Sequence, residues 1–287
     1  MNQVKPTFSS VRLHLRNKLN TYYPTRELET IIMIILGYLS GRNRSYILAH
    51  PDHEISPFNW FKVNKICAEL KNMVPVQYIT GQTEFYGIKI EVTEETMIPR
   101  QETEEMVDLI IKENRKSNLR ILDIGTGTGC IAISLVLNMN GAVVHATDNS
   151  HAAIRVATGN AKRNNAPVSF INDDIINPDI NKYGKYDIVV SNPPYITESE
   201  KACMDRNVLD YEPHNALFVP DNDALVYYSF VLDLCEKVMV RGGHLYFEIN
   251  ENKAVEMKNL LKEYGYLNAV VINDINGKPR ITKSIKA

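Results

Sequence analysis

From Arg120 to the end of the chain, short strand-like runs alternate with helix-like ones, and this alternation restricts the fold more than any other feature. The runs are Arg120–Ile124, Val143–Thr147, Val168–Asn172, Tyr186–Val190, His244–Ile249, Ala269–Asn273 and Ile281–Ile285. Helical stretches fit between most of them. Seven strands interleaved in this way predict an α/β fold with a doubly wound, seven-stranded, mostly parallel sheet. Ligands of such sheets bind beyond the carboxyl ends of the strands. Chemistry is therefore expected just after Ile124, Thr147, Asn172 and Val190.

The first part of the chain has a different period. In Arg26–Leu39, the residues Leu28, Ile31, Ile32, Ile35, Leu36 and Leu39 recur at helical spacing, and Ser40-Gly41 follows as a stop. A second helix is predicted over Trp60–Met73, ending before Pro75. Residues 1–74 thus predict a small helical domain. Residues 75–100 contain Gln77–Gly81 and Glu84–Val92, β-branched and aromatic stretches punctuated by glycine, and predict a β-hairpin linker. Residues 101–287 hold the α/β domain, opened by a helix over Thr103–Lys112.

Composition excludes several classes. The 287 residues suffice for one large domain and a small one. No apolar run reaches the roughly 18 residues that span a bilayer, and Met1–Ser10 lacks the apolar core of a signal peptide. Cys67, Cys130, Cys203 and Cys235 are scattered, and the histidines add no ligand spacing, so neither a disulfide framework nor a metal site is expected. A reducing cytoplasm fits. The net charge of −2 is not a nucleic-acid footprint. Residues 1–50 nevertheless carry seven bases (Lys5, Arg12, Arg16, Lys18, Arg26, Arg42, Arg44) against Glu27 and Glu29, a balance of +5. Solvated helix faces are the simpler reading; a basic platform for an acidic partner or for RNA is the sharper one.

The strand ends carry the motifs. After the first strand comes Asp123-Ile124-Gly125-Thr126-Gly127-Thr128-Gly129, leading into a helix from Cys130. Glycine lets the backbone turn tightly and approach a ligand. A dinucleotide fingerprint would need a third glycine at position 130, which is cysteine, so a ligand without pyrophosphate fits better. Asp148 follows the second strand about 20 residues later, where an acid accepts from ribose hydroxyls; a helix N-cap is the alternative. After the third strand, Asp174 and Ile175 are candidates to edge and cover an adenine ring. After the fourth come Asn192-Pro193-Pro194-Tyr195, where two prolines stop the strand.

The glycine loop, the following acid and the Asn-Pro-Pro-Tyr turn together resemble a Rossmann-like class I S-adenosylmethionine methyltransferase, of the group that methylates planar amino groups. Further motifs stand in one order: Pro75–Gly81, Glu84–Gly87, Ile98–Arg100, Glu102–Glu104, Tyr211–Pro213 with Ala216-Leu217, and Asp274 with Asn276-Gly277 and Arg280. That order resembles the bacterial peptide-chain release factor glutamine methyltransferase family, over nearly the whole chain. Gln101, where the family usually has Pro, Asn250, where it has Gly, and the C-terminal end depart from it.

The resemblance implies that the chain methylates the glutamine amide of a Gly-Gly-Gln motif in release factors, from S-adenosyl-L-methionine, leaving S-adenosyl-L-homocysteine. It implies that Asn192 and the Pro193 carbonyl accept the two amide N–H groups and that Tyr195 packs on the flat amide beside Pro194. Asp123, Gly125, Thr126, Gly127, Thr128, Gly129, Asp148, Asp174, Ile175 and Asn192 would bind the donor. Arg100 has two readings, holding the donor carboxylate or bracing the linker. Residues 1–74 and the hairpin would grip the release factor, with no nucleic acid, membrane or metal involved. Rival readings are a glutamine of a ribosomal protein, adenine in DNA, and a non-catalytic ribosome-associated module.

Overall fold

The computed structural model describes residues 6–287; Lys5, counted above, lies outside the described residues. Helix α1 (Phe8–Leu19) opens with a capping box between Thr7 and Ser10. Helix α2 (Thr25–Ser40) ends at Gly41, which takes the left-handed conformation. After the short α3 (Arg44–Ala49), α4 (Pro57–Lys71) starts earlier than its apolar pattern predicts, because Ser56 caps it and proline occupies its first turn. Leu15, Ile32, Leu36, Val63 and Leu70 form the core between these helices. Arg12 and Arg16 both pair with Glu29, the acid already counted in the balance of +5, and link α1 to α2.

Helix α5 (Val76–Thr80) corrects an expectation. Its β-branched residues read as the start of a hairpin, yet Pro75 and a left-handed Gly81 bound a single helical turn whose Val76 and Thr80 are buried. The hairpin itself is β1 (Gln82–Phe85) and β2 (Ile88–Glu91). Its two-residue turn, Tyr86-Gly87, has positive φ at both positions, which matches the twist of the flanking strands.

Then follow α6 (Gln101–Glu113), β3 (Arg120–Ile124), α7 (Cys130–Asn138), β4 (Val143–Asp148), α8 (His151–Arg163), β5 (Val168–Asn172) and β6 (Tyr186–Ser191). A small parallel pair, β7 (Ile196–Thr197) and β8 (Phe218–Val219), flanks the short α9 (Arg206–Leu209). The chain ends with α10 (Val226–Val238), β9 (Met239–Glu248), α11 (Ala254–Glu263), β10 (Leu267–Asn273) and β11 (Pro279–Ile285). The sheet order is β10-β11-β9-β6-β3-β4-β5, with β11 antiparallel to both neighbours and every other pairing parallel. Strand order reverses between β3 and β6, so the crevice predicted by topology lies beyond Ile124 and Ser191. The Ser191 hydroxyl donates to the Ile124 carbonyl at 2.8 Å and ties these two ends together.

Strand β9 begins five residues before the expected His244. A side chain at Gly243 would come within 2.9 Å of the Val240 carbonyl and 3.1 Å of the Asp187 carbonyl, so glycine is required inside the strand. The compact units also divide differently from the sequence partition. One runs through Gly81 and includes Asp205–Tyr211; the other comprises Gln82–Met204 and Glu212–Ala287. No helix among the described residues is long and apolar enough to cross a membrane.

Candidate active site

The glycine loop is shaped by three left-handed residues, Gly125 (φ 74°), Gly127 (φ 52°) and Gly129 (φ 80°). An L side chain is strained there. The loop folds over the end of β4: the N–H groups of Gly125 and Thr126 donate to the Thr147 carbonyl at 2.9 and 3.0 Å. Gly129 also approaches α8 so closely that a β-carbon would meet Ala157 at 3.1 Å. Buried Asn160 of α8 holds the far side, donating to the Thr128 carbonyl and pairing with the backbone of Glu91 in the hairpin.

Asp148 ends β4. Its carboxylate accepts from Gly127 N–H and Ser150 N–H, both at 2.9 Å, so it braces the loop and the start of α8 together. Burial raises its pKa. Asn172 donates to the Asp148 carbonyl and aligns the end of β5 beside it. Of the next residues, Asp173 is engaged by Lys182 and Tyr183. Asp174 accepts from Ile176 N–H.

One cavity joins these elements. Gly125, Thr126, Gly127 and Thr128 line it with Asp148, and Asp174 and Ile175 close one end. Asn192, Pro193 and Pro194 form the opposite wall. Asp123 and Gly129 lie behind the loop rather than on the cavity surface. Tyr195 is also displaced from its expected place. It does not line the cavity; it packs into the core around Tyr228 and Phe247, and its hydroxyl donates to Glu248 Oε1 at 3.0 Å. The strand pairing explains this. The chain leaves β6 at Asn192-Pro193, and by Ile196 it has entered β7, which turns Tyr195 inward.

Two residues missed by sequence reasoning support this wall, one lining the cavity and one buried behind it. Thr103, in the first turn of α6, lines the cavity, and its hydroxyl donates to Glu248 Oε2 at 2.6 Å. Asn192 Nδ2 donates to Thr103 Oγ1 at 3.3 Å. Glu248 is an acid at the end of an apolar strand, the same signal that identified Asp123 and Asp148.

The family described as "Methyltransferase small domain" matches residues 97–209, and the "PrmC N-terminal domain" matches residues 12–81. The release factor glutamine methyltransferase of Flavobacterium psychrophilum is 42% identical over 270 residues, which cover 92% of this chain and 94% of that protein. The chain belongs to the release factor glutamine methyltransferase family. The enzyme of that name from Bacteroides thetaiotaomicron is 41% identical, over 94% of this chain and 97% of its own length. Among solved structures, the hMettl16 catalytic domain bound to a MAT2A 3'UTR hairpin superposes with a TM-score of 0.53 at 17% identity, covering 70% of this chain and 77% of that chain. That likeness concerns the fold alone.

Family motifs outside the cavity have structural work of their own. The Arg100 guanidinium pairs with buried Glu212, whose other oxygen accepts from Ile98 N–H at 3.1 Å. Of the two readings for Arg100, the geometry supports bracing, since the side chain does not line the cavity. Asn250, where the family usually has Gly, is buried and donates to the Tyr195 carbonyl and to Glu200. It therefore fastens the segment behind the Asn-Pro-Pro-Tyr turn. At the atypical C-terminal end, Lys286 donates to the carbonyls of Cys235 and Glu236, near the end of α10, where a cation is favoured.

Asp123 is fully buried beneath the loop. Burial pushes its carboxyl up to about 7, and the Thr126 hydroxyl and the Ala132 N–H offset this only in part. Its Oδ1 makes no hydrogen bond of its own among the described residues. The folded value lies above the unfolded one. The protonated form therefore stabilises the fold in acid, and that contribution is lost as pH rises from about 4 to about 7. Asp123→Asn is expected to melt about 5 °C higher than wild type at pH 8, with the gap closing toward pH 4. Melts at pH 4.5 and 8 that shift equally would contradict this assignment.

Proposed function

We propose that the chain transfers a methyl group from S-adenosyl-L-methionine to the side-chain amide nitrogen of the glutamine in the Gly-Gly-Gln motif of peptide chain release factors. The observation that carries this reading is a single cavity with the glycine loop and Asp148 on one wall and Asn192-Pro193-Pro194 on the other. Such a substrate puts the reaction in the cytoplasm.

The residues fit the donor. The loop glycines leave no side chain between backbone and ligand, and their Cβ positions at Gly125 and Gly127 are open. Asp148 stands where ribose hydroxyls would be held, and Asp174 with Ile175 where adenine would lie. The unpartnered Oδ1 of Asp123 is an acceptor in reserve for a donor ammonium, through water. Asp123→Asn should therefore weaken donor binding even as it raises the melting temperature. S-adenosylmethionine supplies a methyl group already activated by its sulfonium.

What remains for the protein is positioning and electrostatics. An amide nitrogen is a poor nucleophile because its lone pair is delocalised. Asn192 Oδ1 and the Pro193 carbonyl accept its two N–H groups and hold it in one orientation. The prolines fix the backbone, and among the described residues no donor occupies the Pro193 carbonyl. Tyr195 serves from behind, through Glu248, rather than by stacking on the amide. Release-factor recognition is assigned to the helical unit through Gly81, which the PrmC N-terminal domain matches. The net charge of −2 disfavours a DNA substrate.

The test is to incubate the protein with the donor and a purified release factor. A gain of about 14 Da mapped to the glutamine is expected. An unmodified release factor would overturn the substrate assignment.

A further inference from the structure

Strands β6 and β9 are parallel neighbours with Ser191 opposite Phe247, so Asn192 and Glu248 leave the sheet side by side. Glu248 is a carboxylate with almost no exposure, and burial, with a smaller push from Glu102, raises its pKa. Such a group persists only with hydrogen-bonding partners. Among the described residues it has two, the Tyr195 hydroxyl on Oε1 and the Thr103 hydroxyl on Oε2. Thr103 is itself buried.

A hydroxyl has one proton. That of Thr103 goes to Glu248, so toward Asn192 the Thr103 oxygen is only an acceptor. Asn192 must then present its NH2 to Thr103, as the 3.3 Å contact shows. Its carbonyl oxygen is thereby committed to the other side. An asparagine without this anchor is free to turn its amide over, because the two ends are nearly isosteric. Turned over, it would offer a donor where the substrate also brings donors.

We infer that Thr103 and Glu248 act as positioning residues that fix the polarity of the Asn192 amide, and that this polarity makes the site select a carboxamide over a carboxylate. The inference rests on the proposed function and names its source of discrimination between glutamine and glutamate. A carboxylate has no N–H for Asn192 Oδ1 or the Pro193 carbonyl, and would meet two acceptors.

The test compares wild type, Thr103→Val, Thr103→Ala, Thr103→Ser and Glu248→Met. Each is assayed for release-factor methylation, for donor binding by calorimetry, and for inhibition by a release factor carrying glutamate in place of the glutamine. Thr103→Val and Glu248→Met are expected to lower kcat by about 10²-fold with donor affinity within about threefold of wild type. The glutamate-bearing factor should compete about tenfold better against them, relative to the glutamine form, than against wild type. Thr103→Ser keeps the hydroxyl and should stay within about twofold of wild type on every readout. Thr103→Ala replaces Thr103→Val if thermal melts show the valine variant unfolded. Unchanged glutamine-to-glutamate discrimination in the variants would overturn the inference, as would a serine variant as impaired as the valine one. A wild type that binds donor but leaves release factor unmodified overturns the substrate assignment, and this inference with it.

Discussion

Asn192→Ala is expected to reduce methyl transfer to release factor by about 10³-fold at saturating donor and substrate. On the proposed reading, the substitution removes one of two acceptors facing the amide nitrogen, in a wall where Pro193 is buried. It also leaves the Thr103 oxygen without its donor. The remaining carbonyl can still bind one N–H, but the amide is then free to pivot, and the near-attack orientation is populated rarely. Donor affinity should change by no more than a few-fold, because the loop and Asp148 lie across the cavity. Single-turnover rates with labelled donor, set beside calorimetric donor affinities, separate the two effects. Turnover within tenfold of wild type would sink the mechanism.

The second large effect is on the donor side. Asp148→Ala should raise the donor KM by about 10²-fold, with kcat at saturation reduced only several-fold. Two losses combine. The Gly127 and Ser150 N–H groups lose the acceptor that holds the loop against α8, each a hydrogen bond to a charged group of about 1.5–3 kcal/mol. On the proposed reading, the ribose hydroxyls lose their partner as well. Asp148→Asn retains one acceptor oxygen and should fall between wild type and alanine. A donor titration that leaves KM unchanged for Asp148→Ala would remove Asp148 from the binding site.

The sheet was legible because buried strands such as Tyr186–Val190 read as apolar runs, and because the residues that end them are the ones a doubly wound topology brings to one edge. The glycine loop, Asp148, Asp174, Ile175 and Asn192 were singled out by that rule, and residues 125–128, Asp148, Asp174, Ile175 and Asn192 line one cavity. What stayed hidden depends on contacts distant in sequence. Thr103 gains its role from Glu248, 145 residues later; Glu248 ends an apolar strand as Asp123 and Asp148 do, but nothing local to Thr103 announces the pairing. The family resemblance placed Tyr195 on the substrate amide, whereas in the structure it is half-buried against the core with its hydroxyl on Glu248. Helix α5 looked like a strand because its β-branched residues outvoted the proline and glycine that bound it. The early start of β9 was masked by glycines that the sheet needs for space.

The segment Asp205–Tyr211 lies within the helical unit, where the Tyr211 hydroxyl donates to the Asn72 carbonyl at 2.8 Å, although its flanking residues belong to the catalytic unit. The backbone therefore passes between the units after Gly81, after Met204 and after Tyr211. No single cut separates them into two whole modules. A fragment ending at Gly81 would lack a piece of its own fold, and a graft of the N-terminal region from a relative would have to carry a second, remote exchange at 205–211 to remain self-consistent.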